Sequence, residues 1–258
     1  MGACSGKKGS KHTVQPATQP DQQGEDAADL QKMFEEEGKY MNRKVKGYLD
    51  IARAGNAATT FEVNMKFINL GDSGALHLAK LLPYFTGLRS LRLWKIKLGV
   101  EGAKLLGVAL PKLTQLQVLS LEDNELKTEG TCYIAQALPA LHVLTELYLH
   151  VNKMGLEGVV ALSKPLANKQ NLQVLTLDEN QIGKAGLMVL LTTLSNTLGG
   201  LTLLGLAFNQ LGDEGAREIL DRLPRMSKLK KLTLSGNNVT PGLERSLVAA
   251  APTVDFLF

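Results

Sequence analysis

Aromatic side chains make up 5% of this 258-residue chain, and only one is a tryptophan, Trp94. A core of ordinary size must therefore be aliphatic, and most of the 44% hydrophobic content is of that kind. Cysteine is scarcer still. Cys4 and Cys132 are the only copies, too few for a disulfide framework and in keeping with a reducing compartment. Cys132 lies beside Ile134 and Ala135 and is expected in the core. No run of about 18 apolar residues occurs, so no membrane-spanning helix is expected. The first residues also lack the apolar stretch of a secretory leader. Neither sign of charge dominates: 29 Lys and Arg face 25 Asp and Glu, a net charge of +4. Nucleic-acid binders concentrate their bases on one face, whereas both signs here are interspersed. No nucleic-acid partner is expected.

The signatures of chemistry are missing too. His12, His77, His142 and His150 show no metal-ligand spacing with the cysteines, so no metal or other cofactor is expected. No nucleophile, base and orienting group cluster in sequence. The stretch GACSGKK is one residue short of a phosphate loop, lacks the Ser or Thr after Lys and follows no strand. Glu122, Asp123, Asp178 and Glu179 fall in two separated segments and read as solvated charge rather than a calcium site. Catalytic residues and a small-molecule substrate are accordingly not expected.

What is present is a repeat. Leu88, Leu116, Leu144, Leu172, Leu201 and Leu229 open near-copies of one phrase, such as LQVLSLEDNELKTEG and LQVLTLDENQIGKAG, spaced 28, 28, 28, 29 and 28 residues apart. A fixed period of this size means a solenoid of strand, turn and helix units. Projection back to Thr60 fits FEVNMKFINLGDSGA into the same register and makes seven units. The fourth and sixth positions are apolar, as in Leu119 and Leu121, so alternation directs them into a core and their neighbours outward. The ninth position is Asn124, Asn152, Asn180, Asn209 and Asn237. An amide both donates and accepts, so stacked copies can satisfy backbone groups where the chain leaves the sheet. Ile68 and Ile96 hold that place in the first two units, whose turns should be built differently. Gly74, Gly102, Gly130, Gly158, Gly186 and Gly215 recur at the fifteenth position, allowing close approach of neighbouring units.

The composition divides the chain in three. Residues 1–26 are rich in Gly, Ser, Pro, Gln and Lys and nearly devoid of apolar side chains, the signature of a disordered tether. Residues 27–59 carry Leu30, Met33, Phe34, Val45, Leu49 and Ile51 at helical spacing, which predicts a helical cap over the open end of the solenoid. Gly38 and Gly47 are expected to break it and Gly55 to stop it. Residues 60–258 form the repeat domain, where Val254, Phe256 and Phe258 alternate as a covering edge strand.

Units of 28 or 29 residues with LxLxxN followed by GxxGA resemble leucine-rich repeats of the ribonuclease-inhibitor class, over about residues 60–258. The resemblance implies an α/β horseshoe, with a parallel sheet inside and helices outside, serving as a binding scaffold. The start MGACSGKKGSK is similar to the doubly acylated leaders of membrane-tethered proteins, notably the flagellar calflagins. That similarity implies a myristoyl chain on Gly2 and a palmitoyl chain on Cys4. The leader departs from the usual pattern at Gly6, where Ser or Thr is typical. One acyl chain holds a membrane only marginally, so the second chain and Lys7, Lys8 and Lys11 would complete the anchor.

The expectation is a non-enzymatic interaction scaffold at the cytoplasmic face of a plasma or flagellar membrane. Two other families share the repeat. Ran GTPase-activating proteins resemble longer arrays with an acidic tail, and tropomodulin-like filament caps carry longer leading segments. For a protein partner the register exposes Arg92, Trp94, Glu122, Tyr148, His150 and Asp178 on the inner face. Trp and Tyr often dominate binding energy because they join large contact area to a polar handle. Glu122 and Asp178 would set a preference for a basic segment. Strand spacing places Trp94 and His150 about 10 Å apart, with Glu122 between them.

Overall fold

The computed structural model describes residues 22–258. Eight short strands form one parallel sheet in strict chain order. They are β1 (Glu62–Asn64), β2 (Ser90–Arg92), β3 (Val118–Ser120), β4 (Glu146–Tyr148), β5 (Val174–Thr176), β6 (Leu203–Gly205), β7 (Lys231–Thr233) and β8 (Asp255–Leu257). The register pairs Val63, Leu91, Leu119, Leu147, Leu175, Leu204 and Leu232 in one row, ending on Phe256. The seven-unit period is thus the sheet's own spacing, and the tail adds the eighth strand. Helices α3 (Gly71–Leu81), α4 (Val100–Ala109), α5 (Lys127–Ala137), α6 (Gly155–Leu166), α7 (Gly183–Thr193), α8 (Gly212–Arg222) and α9 (Pro241–Ala250) connect successive strands.

The leucine layers fill the space between sheet and helices, with Leu91, Leu119, Leu147, Leu149, Leu175 and Leu177 fully buried. Strands repeat at about 4.8 Å while packed helices need about 8–10 Å. The stack therefore curves, with the sheet on its inner side. Glycine keeps the helix layer tight: a Cβ on Gly186 would come within 2.8 Å of Val159 on the preceding helix. Leu-Pro pairs at Leu82, Leu110, Leu138 and Leu223 open 3-10 turns that end four of the helices, because proline cannot continue the hydrogen-bond ladder. The 29-residue gap before Leu201 is absorbed ahead of β6, where the Thr197 hydroxyl donates to Leu166 O at 3.1 Å. Nearby, the ammonium of buried Lys169 donates to Leu141 O at 2.8 Å. Burial pulls its pKa below the usual lysine value.

From Asn124 onward, the asparagine ladder ties each unit to the one before it. Asn180 Oδ1 accepts from Asn152 N at 3.0 Å, and its amide donates to Leu149 O and Leu177 O at 2.9 and 3.1 Å. Asn124 serves the second unit in the same way, accepting from Ile96 N and Leu98 N at 3.1 and 3.0 Å. Of the two isoleucine-bearing turns, only the first is therefore rebuilt. Ile96 offers no amide, so Leu70 N turns to Ile68 O and Ile96 O, at 3.0 and 3.1 Å. The third turn also departs: Glu125 N donates to Leu98 O at 2.9 Å, and Asn152 Oδ1 accepts nothing from the described residues.

The cap consists of α1 (Gln22–Glu36) and α2 (Arg43–Arg53), so helix begins ahead of the boundary expected at residue 27. Gly38 lies in the break between them, but Gly47 sits inside α2. With nothing within 4 Å of its would-be Cβ, Gly47 is on an open helix face that needs no break. Gly55 follows α2 at φ 77°. Val45 and Leu49 are fully buried against the first unit. The Tyr48 hydroxyl accepts from Asn64 N at 2.8 Å, occupying a donor on the edge strand. Cys132 is half-buried rather than in the core. The fully buried place belongs to Thr131, whose hydroxyl donates to Lys127 O at 2.6 Å.

Candidate functional site

The inner face is chemically divided along the stack. Over β1–β5 it carries aromatic and charged side chains, whereas beyond β5 Gly205 and Ala207 are buried and leave little to grip. Trp94, half-buried, lies past the end of β2, and Phe67 packs on it at a centroid separation of 4.6 Å. The Lys66 ammonium stands 5.5 Å from the same indole, a cation held against the ring's negative face. On the other flank His150 meets Trp94 edge-on at 6.3 Å. That is well short of the spacing of about 10 Å expected from two strand intervals. The rings lean toward each other over a concave surface, and Glu122, between them, is buried. Its carboxylate accepts from the Ser120 hydroxyl.

The remaining expected residues are each held by an internal partner. Arg92 Nε lies 3.3 Å from Glu62 Oε1. The Tyr148 hydroxyl donates to Glu146 Oε2 at 2.8 Å. Desolvation, the hydrogen bond to Glu146 and the Glu146 and Glu122 charges push Tyr148 up to about 12, against a smaller lowering by Arg92. His150 Nδ1 is 3.1 Å from Thr176 Oγ1. Asp178 reaches across the sheet to accept from Ala207 N at 2.8 Å and from the Thr233 hydroxyl. Gly205 makes room for it, since a Cβ there would collide with the carboxylate. Arg92, Trp94, Tyr148 and His150 thus gather around Glu122 on neighbouring strands, while Asp178 serves the C-terminal half. Glu122 and Asp178 are both committed within the chain.

Phe67 was invisible to a reading of strand positions because it occupies the turn just past β1. Its signal is conformational. Phe67, Lys95, Asp123, Val151, Glu179 and Phe208 share the eighth position of successive units, all at φ between 48° and 60°. Bulky and β-branched side chains rarely adopt this left-handed region. In the seventh unit the position is Gly236, at φ 68°. Phe67 and Phe208 remain 61% and 55% exposed, so side chains too large for the core line the inner rim.

Among the described residues no cluster of His, Cys, Asp or Glu could hold a metal, and no helix is long and apolar enough to cross a membrane. Gly2 and Cys4 lie outside the described residues. The leucine-rich-repeat family model matches residues 168–191 and 201–220, which contain β5 with most of α7 and β6 with most of α8. Two of the seven units thus match the leucine-rich-repeat model. Register carries the same unit through the rest of the sheet. No curated protein matches the chain significantly. Among solved structures, an internalin from Listeria monocytogenes is 20% identical with a TM-score of 0.47, covering 81% of this chain and 63% of its own. The chain thus spans less than two thirds of that protein. Internalin C2 from the same organism is 19% identical with a TM-score of 0.47, covering 79% of this chain and 81% of its own. A leucine-rich-repeat protein from Leptospira interrogans is 17% identical with a TM-score of 0.39, covering 80% and 68%.

Proposed function

We propose that this leucine-rich-repeat chain is a non-enzymatic scaffold that captures a protein partner on the N-terminal half of its inner face. The 28-residue unit, with its Asn turn and full outer helix, supports placing it in the ribonuclease-inhibitor class. Leucine-rich repeats generally serve protein–protein interaction. The observation that carries the reading is the chain's sole tryptophan, outside the core and clamped between Phe67 and His150. Rings displayed on a rigid sheet lose little entropy on binding, which is what an anchor residue requires. Arg92 and Tyr148 extend the anchor along β2 and β4. The membrane part of the proposal rests on the leader: acyl chains on Gly2 and Cys4 would hold the scaffold at the inner face of a plasma or flagellar membrane. No observation favours the GTPase-regulating or filament-capping alternatives.

The test is capture by proximity labelling with the wild-type chain and with Trp94→Ala combined with Tyr148→Ala. The double variant is expected to lose the labelled partners while its thermal midpoint stays within a few degrees. Both side chains are only half-buried, and substitutions outside the core usually cost little stability. Undiminished labelling by the folded double variant would remove the inner face from the reading.

A further inference from the structure

The inner-face cluster adjoins a groove of about 580 Å³ beyond the C-terminal ends of β1–β4, lined by residues of four successive turns. Its volume lies within the range of about 300–1,000 Å³ usual for ligand pockets. The apolar part comes from Phe67, Ile68 and Val151. Ile68 holds the place where the later units carry their ladder asparagine, and it adds hydrocarbon to the wall. Phe67 and Val151 hold left-handed backbone at φ 60° and 57°, a conformation that glycine would adopt without strain. The side chains, not the turn geometry, are what these two positions supply.

The charge of the groove is set by what is left unpaired. Lys95 is taken by Asp123 at 2.7 Å. Lys97 and Lys153, both exposed, have no acidic partner among the described residues, and Glu125 is the one carboxylate of the lining in the same condition. Just beyond the rim, Lys66 adds a third cation above Trp94. The acids that would have favoured a basic ligand, Glu122 and Asp178, are spent on Ser120, Ala207 and Thr233. The free charge is net positive.

We infer that this groove, with Lys97 and Lys153 beside Phe67, Ile68 and Val151, takes an acidic peptide segment bearing one bulky apolar side chain. The apolar side chain displaces water from the hydrocarbon wall, and flanking carboxylates meet the two ammonium groups as charge-assisted hydrogen bonds. The inference rests on the reading of the inner face as a protein-binding surface and specifies the chemistry of what docks beside it.

The experiment pans a random peptide display library on the full chain and measures the enriched peptides, fluorescently labelled, by anisotropy. Enrichment of Asp- or Glu-flanked Phe, Leu or Ile is expected, together with a shift in the emission of Trp94, the only tryptophan. Lys97→Glu with Lys153→Glu should weaken binding at least about tenfold and leave the circular dichroism spectrum unchanged. Raised salt should weaken it too, since the pairs are exposed. Enrichment of Lys- or Arg-rich peptides, no enrichment, preferential binding of an oligothymidine strand, or acidic-peptide affinity unaltered in the charge-reversed variant would each overturn the inference. The inner-face reading stands or falls separately, on partner capture by Trp94→Ala with Tyr148→Ala.

Discussion

At the scale of single residues, the ladder asparagines hold more of the fold than their polarity suggests. Asn180 is fully buried and satisfies Asn152 N, Leu149 O and Leu177 O. Its replacement by alanine strands these groups away from water, at about 1–3 kcal/mol for a lost partner. Urea unfolding of Asn180→Ala should show a loss of at least about 2 kcal/mol, whereas Asn69→Ala, exposed in the first turn, should show almost none. Tyr148 gives a second test. Its folded pKa, pushed up to about 12 from the ordinary 10.0, means the neutral phenol is favoured in the folded state. The stabilisation is fully present below pH 10 and is lost as pH rises through the folded value. Spectrophotometric titration at the phenolate band should find Tyr148 late, together with Tyr84, which burial and the Asp29 and Asp26 charges also push up. Glu146→Gln should bring Tyr148 alone earlier by removing a neighbouring negative charge.

At the scale of elements, periodicity made the strands, the layer leucines and the outward column legible, because a solenoid repeats one local solution. What escaped was set by contacts between units. Nothing in the ninth-position pattern says that each asparagine serves the preceding turn, so Ile96 alters the first unit rather than its own. Gly47 looked like a break because glycine lowers helix propensity, yet packing through Val45 and Leu49 carries α2 across it. The approach of Trp94 and His150 follows from sheet curvature and ring length, which strand spacing alone does not contain. The capping element has its own test. Tyr48→Phe removes the hydroxyl that accepts from Asn64 N, and it should cost about 1 kcal/mol by chemical denaturation. Leu49→Ala should cost roughly 2–5 kcal/mol through the cavity it opens beneath the cap. A cap that merely rested on the first unit would show neither loss.

At the scale of the whole molecule, a stack of units joined only to their neighbours has two faces and two ends, and its stability is a sum over adjacent contacts. The inner face offers its aromatic cluster near one end, close to the cap and so close in chain order to the leader proposed to be acylated. The proposed acylation of the leader is testable. A myristoyl chain alone gives marginal, reversible attachment, and a second acyl chain converts it to stable residence. Fractionation of cells expressing the full chain should find the wild type in the membrane pellet. Cys4→Ser should be split between pellet and supernatant, and Gly2→Ala nearly all soluble. Lys7, Lys8 and Lys11 would each add on the order of 1 kcal/mol near an anionic leaflet. Changing all three to Gln in the Cys4→Ser background should therefore release the fraction that remained. If Gly2→Ala stays in the pellet, the chain is held there by its repeat domain and partner rather than by lipid, and the cluster around Trp94 becomes the anchor to test next.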